Sequence, residues 1–209
     1  MPGAVRRTQE ERSFEMRRRV LDAALTVLAE HGYADTTTTL VATRAGVSRG
    51  AQLHHFPTRQ SLVSAAVQHL FADLTASYER AFEALGPASV GVEVAIDLLW
   101  TSFEDPRLAV VLDLFVAART DPELRASLGP VAAAHRNNAM RLARAYFPDA
   151  AGLPAFEALL GVVLDALQGA ALRALVFPGD PTVAATVATV KQIAHTLLPQ
   201  APKPRRSAR

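Results

Sequence analysis

The sequence predicts an all-α protein of about nine helices. Three observations carry that expectation. Apolar residues recur at i, i+3, i+4 and i+7 along most of the chain, no run alternates apolar and polar residues between turn signals, and glycine and proline fall where helix ends need them. The 209 residues, half of them apolar, suffice for one domain, or for a small one leading into a larger one, with a packed core. The absence of cysteine excludes a disulfide scaffold, thiol catalysis and any Cys-based metal site. The polar, arginine-rich start has no apolar h-region, and no run of about 18 apolar residues stands out, so a cytoplasmic protein without a membrane partner is expected.

The elements follow in order. Val20, Ala23, Ala24, Val27 and Leu28 mark one face of a first helix over about 12–31, stopped near Gly32. Thr36 to Thr39 offer hydroxyl caps for a short second helix, about 38–45, which Gly46 ends. Ser48 caps a third, about 48–54, and Pro57 forbids its continuation past Phe56. Leu62, Ala66, Leu70, Leu74 and Tyr78 line a long fourth helix that closes at Gly86-Pro87. Asp105-Pro106 and Asp121-Pro122-Glu123 each present a capping acid before a first-turn proline, so each opens a helix. Pro148 to Pro154 is expected to be a loop. An eighth helix, about 154–177, and a ninth, about 181–198, complete the body.

Charge is spread unevenly under a net +2. Residues 1–56 hold eight arginines against six acids, residues 57–199 ten bases against fourteen acids, and the tail adds Lys203, Arg205, Arg206 and Arg209. Basic ends around an acidic body suit a protein that meets a phosphate backbone at its ends and keeps its body off it. The expected organisation is a domain over 1–57 that meets the phosphate backbone, with 1–11 a flexible basic arm, a larger helical domain over 58–199, and a disordered basic tail over 200–209.

Two short helices joined by a glycine-containing turn form the helix-turn-helix unit, whose second helix lies in the major groove with its first residues on base edges. Helix two, the turn Gly46-Val47 and helix three fit it, with helix one packed behind. The run Thr36-Thr37-Thr38-Thr39-Leu40-Val41-Ala42-Thr43-Arg44-Ala45-Gly46-Val47-Ser48-Arg49-Gly50, followed by His54-His55-Phe56-Pro57-Thr58-Arg59-Gln60-Ser61-Leu62, resembles the DNA-binding signature of TetR-family transcriptional repressors. The likeness covers about residues 12–65.

The resemblance implies a regulator that binds a palindromic operator on double-stranded DNA, needs no cofactor, and releases the DNA when a small-molecule effector binds. It implies DNA-facing roles for Thr38, Thr39, Ser48, Arg49, Gly50, Ala51, His54, His55 and Arg59. Arg49 either grips guanine O6 and N7 bidentately or holds a phosphate. Arg59 stands where the family usually has a phosphate-binding lysine. One departure stands out. The family places an apolar residue and then a DNA-contacting tyrosine where this chain has Gln52 and Leu53. The expectation is that Leu53 turns inward and Gln52 reaches toward DNA as an adenine reader.

Gly46-Val47-Ser48-Arg49-Gly50 also satisfies the G-x-S-x-G pattern of serine acyl hydrolases, but that elbow needs a strand before the serine, and a helix is expected there. A non-specific DNA-binding protein is the other alternative. The six histidines show no H-E-x-x-H spacing, so neither a catalytic nor a metal site is assigned; His69 and Asp73 are expected as a surface i, i+4 pair. For the body, the resemblance implies an effector-binding and dimerisation domain over 58–199, with a small-molecule cavity enclosed by helices four to eight. Trp100, Phe103, Phe115, Arg119, His135, Asn138, Met140 and Gln168 have the mixture of aromatic, thioether and polar groups that lines such walls. The eighth helix is apolar nearly all round and must be covered on every side. A homodimer is expected through it and through a Val183, Val187, Val190, Ala194, Leu197 stripe on the ninth.

Overall fold

A computed structural model describes residues 9–86 and 90–198. The basic arm up to residue 8 and the tail from residue 199 lie outside the described residues. The described chain is all-α, with ten helices and no strand among those residues: α1 (Gln9–Asp35), α2 (Thr38–Ala45), α3 (Arg49–His55), α4 (Arg59–Leu85), α5 (Val92–Phe103), α6 (Leu108–Ala118), α7 (Pro122–Tyr146), α8 (Pro148–Ala151), α9 (Phe156–Val176) and α10 (Pro181–Leu197). They form two compact units. One holds the chain up to Ala72 together with Pro106–Ala134, the other Asp73–Asp105 and the chain from His135 onward.

In the first unit α1 buries Val20, Leu21, Ala23, Ala24, Leu25, Val27 and Leu28, the stripe its periodicity predicts. Gly32 breaks the helix at φ 71, a left-handed conformation that only glycine adopts without steric cost. Below the break, Thr36 is buried and its hydroxyl donates to the Gly32 carbonyl at 2.7 Å. Two polar ties fix α1 to its neighbours: the Arg44 guanidinium of α2 forks onto both Glu30 oxygens, and His69 of α4 meets Asp22 at 2.8 Å. His69 thus reaches a carboxylate on another helix, a partner that spacing along its own helix does not reveal.

Two boundaries differ from those the sequence predicts. Pro106 sits in a turn and α6 starts at Leu108, because no side chain caps its first amides. The stretch from Pro148 contains the one-turn helix α8 rather than a plain loop. By contrast, α7 begins as predicted: Asp121 Oδ1 accepts the Leu124 amide at 2.9 Å, which closes the cap before Pro122.

The second unit is built on apolar stripes. Ile96 of α5, Leu159, Val163 and Leu167 of α9, and Val187, Val190 and Ala194 of α10 form one buried cluster. Phe82, Val90 and Ala95 form another, where the Phe82 and Tyr146 rings stack at 3.8 Å between centroids. Lys191 to Asp97 at 2.8 Å and His195 to Glu93 at 2.8 Å lace α10 antiparallel to α5. α9 is 21 residues long and, by length and composition alone, long enough to cross a membrane; the sequence reading had found no such stretch. Its Leu159, Val163 and Leu167 face belongs to the core cluster.

Candidate nucleic-acid interface

The α2–turn–α3 segment is fixed by its own backbone chemistry. Thr37 is the N-cap of α2, its hydroxyl accepting the Leu40 amide at 3.1 Å. Gly46 ends that helix at φ 64, where its N–H bonds the Thr43 carbonyl at 3.2 Å and the Val47 N–H bonds the Ala42 carbonyl at 3.1 Å. That is the paired-bond arrangement of a Schellman C-cap. Ser48 immediately recaps, its hydroxyl accepting the Ala51 amide at 3.2 Å, and α3 runs to His55 before Phe56, whose side chain is buried. A helix therefore precedes Ser48 and its oxygen is occupied as a cap, so the G-x-S-x-G pattern lacks the strand that a nucleophile elbow requires.

What α3 presents outward is polar and low. Ser48, Arg49, Gly50 and His54 are exposed, Ala51 and His55 are half-buried, and on α2 Thr39 is exposed and Thr38 half-buried. The His54 and His55 rings stand edge to face at 5.2 Å. A Cβ built on Gly50 meets nothing within 4 Å, so nothing inside the chain demands glycine there. The N-terminal ends of α2 and α3 leave amides free and carry positive dipole ends, a ready arrangement for phosphate oxygens.

The expectation for Gln52 is overturned. Gln52 is fully buried, at 0% exposure, while Leu53 is half-exposed. Gln52 lies four residues before Phe56, so a helical period puts both on the inward face. Its Oε1 and Nε2 have no hydrogen-bond partner among the described residues. It therefore occupies the apolar position of the family pattern and cannot read adenine. Arg59 also differs from its expected setting. Its guanidinium lies 3.9 Å from the Tyr33 ring centroid, its Nη2 points to the Ala34 carbonyl at 3.4 Å, and its Nε is buried without a partner among the described residues.

Around that stack is a polar cluster that sequence reasoning missed. The Tyr33 hydroxyl donates to Asp121 Oδ2 at 2.8 Å, and Gln60 Nε2 donates to Glu123 Oε2 at 2.9 Å. Burial, then the Asp121 hydrogen bond, pushes the Tyr33 phenol above its ordinary range. The Leu124 amide, then Tyr33, hold the Asp121 carboxyl below its own. Pairs separated by 88 and 63 positions leave no local signal in sequence.

The candidate effector-site residues disperse. Phe115, half-buried, and Arg119, exposed, belong to the first unit; the others lie in the second. Trp100 and Phe103 pack on the α5–α9–α10 core cluster. Asn138 is held by Thr75 at 3.4 Å and by Arg141, which donates to its Oδ1 at 2.6 Å. His135 and Met140 are half-buried, and burial lowers the His135 pKa. Gln168 is exposed on α9.

The expected dimer stripe on α10 also needs correction. Val187, Val190 and Ala194 are buried within the chain, because they complete the cluster shared with α5 and α9. Of the same stripe Val183 is half-buried and Leu197 stays exposed, beside Ile193 on α10 and Val162, Leu172, Leu175 and Val176 on α9.

The α2–turn–α3 segment has the geometry of a helix-turn-helix unit. Residues 20–66 match the family described as bacterial regulatory proteins, tetR family. The chain is 41% identical over 120 residues to the HTH-type transcriptional regulator CymR of Pseudomonas putida, a stretch that covers 57% of this chain and 59% of CymR's own length. It is 28% identical over 174 residues to an uncharacterised HTH-type transcriptional regulator of Mycobacterium tuberculosis, 82% of this chain and 89% of that one. Among solved structures it is similar to the multidrug binding protein EbrR, with TM-score 0.63, 25% identity and coverage of 88% and 94%. It also shares its fold with a TetR transcription regulator from Haloarcula marismortui, with TM-score 0.69, 18% identity and coverage of 89% and 100%. The family match covers residues 20–66, so within that stretch the chain is similar to TetR-family transcriptional regulators.

Proposed function

We propose that the chain is a sequence-specific repressor that binds a palindromic operator as a homodimer and is released by a small-molecule effector. The observation that carries this reading is the outward face of α3. Arg49 and His54 offer donors, Gly50 and Ala51 keep the helix low enough to enter a groove, and the caps at Thr37 and Ser48 hold the segment from behind. Two-fold symmetry then calls for half-sites about 34–36 Å apart, or a multiple of that. The exposed apolar residues of α9 and α10 support pairing with a second copy, since exposed apolar surface is costly to leave wet. The structures of EbrR with imidazole and with ethidium support a small-molecule effector for the second unit. An effector coupled by about 1–3 kcal/mol loosens operator binding about 5- to 150-fold.

The test is binding of a palindromic duplex, taken from a footprint upstream of the protein's own gene, against a scrambled one across a salt series. The proposal expects tighter binding to the palindrome at every salt concentration. Equal affinity and equal salt slope for both duplexes reject a sequence-specific reader in favour of non-specific DNA binding.

A further inference from the structure

We infer that Arg17 of α1, outside the helix-turn-helix, is the phosphate contact at the C-terminal end of α3, and that Arg59 is a positioning residue in its stead. The inference rests on the DNA-reading role proposed above. A head seated in a groove about 12 Å wide meets a phosphate strand on each side. The capped N-termini of α2 and α3 supply amides and hydroxyls at one end of the reading helix. The other end, at His54 and His55, carries no arginine or lysine of α3 itself.

Arg59 is poorly placed to be that donor. Its guanidinium is committed to the Tyr33 ring at 3.9 Å, and Tyr33 is in turn tethered to Asp121 at 2.8 Å. Swinging Arg59 out to a phosphate forfeits a stacked cation–π contact and uncovers the tyrosine. Arg59 instead ties the start of α4 to the end of α1, which fixes where the head's helices stand.

Arg17 meets the requirement. It is exposed, and its guanidinium lies 5.5 Å from the ring centroid of Phe56, the residue that follows His55. It stands three and four residues before Val20 and Leu21, on the face with which α1 packs, so its direction is set by the helix and not by chance. It has no carboxylate partner among the described residues, whereas Arg18 is paired with Asp22 and Arg44 with Glu30. A guanidinium over the Phe56 ring, without a carboxylate partner among the described residues, engages a phosphate without breaking an ion pair.

The experiment measures duplex affinity by fluorescence anisotropy from about 50 to 200 mM salt, with the palindromic and the scrambled duplex. R17Q is expected to flatten the slope of log K against log salt by about 0.9 for each head engaged. It weakens both duplexes by the same factor, so discrimination is kept, and R17K restores the slope. R59Q is expected to keep the wild-type slope and to weaken both duplexes only in step with its fall in Tm. A wild-type slope for R17Q, or a loss of about 0.9 for R59Q, overturns the assignment. The two readings fail separately. A wild-type chain that binds both duplexes equally rejects the sequence-specific repressor, while the slope on either duplex still decides the role of Arg17. No binding to any duplex overturns both.

Discussion

The helix-turn-helix head and the second unit are held together by different means. In the head, local chemistry sets each boundary: two hydroxyl caps, one left-handed glycine and one proline fix α2, the turn and α3 within about twenty residues. In the second unit α5 and α9 start without a side-chain cap, and the assembly depends on which stripe of each helix is buried. Its surface is stitched by pairs such as Arg136 to Asp165 at 3.6 Å and Arg144 to Glu157, exposed on both sides and worth little each. A function carried by backbone geometry and short-range capping can be read from a short stretch of sequence. A function carried by a cavity or an interface depends on tertiary choices that residue types leave open.

The largest effect that sharpens this contrast comes from the second unit. Leu172→Asp combined with Val176→Asp places two charges on the exposed face of α9, where they cost the isolated fold little. The proposed dimer is lost, and operator affinity falls more than about 100-fold as two linked heads become single ones. Sedimentation velocity beside anisotropy checks this; an unchanged dimer moves the interface elsewhere. Arg49→Ala acts on the head alone. It costs about 1–3 kcal/mol of discrimination at one operator position if it reads guanine, and a uniform loss across sequences if it holds a phosphate.

A third prediction concerns Tyr78 of the second unit. Burial raises the Tyr78 phenol to about 12 from 10.0, so the folded chain prefers the protonated form. The stabilisation is complete below pH 10 and is lost as pH rises from 10 toward 12, by about 2–3 kcal/mol in all. Chemical denaturation across that range reads it, and Tyr78→Phe removes this part of the slope. The smallest effect belongs to the head. Gln52→Leu replaces a fully buried amide without partners among the described residues, and is expected to raise stability by about 1 kcal/mol. Operator preference stays the same at every position; a change confined to one base pair would restore Gln52 as a reader.

The sequence displayed most of the fold and the core of the site for a physical reason. Thr37, Gly46, Ser48 and Pro57 act on neighbours within four residues, and the α1 stripe repeats with the helical period, so both are visible along the chain. Gln52 was misread because residue chemistry suggested a reader, while the helical phase it shares with Phe56 decided burial. The Tyr33–Asp121–Arg59 cluster and the His69–Asp22 pair were invisible, since their partners come from distant parts of the chain. The α10 stripe was recognised as apolar, but its burial against α5 and α9 was settled by packing.

The account turns on the outward face of α3 being shaped for something outside the chain. Gly50→Glu tests it most directly, because the two consequences carry opposite signs. In the free protein the Cβ meets open space, and a carboxylate in the first turn of a helix replaces a glycine, so stability is expected to rise by about 1 kcal/mol. In the groove the same carboxylate faces phosphates, so operator binding is abolished. A thermal melt and an anisotropy titration on one preparation give both readings: a raised Tm with lost operator binding is the predicted result, and a raised Tm with undiminished operator binding contradicts the account.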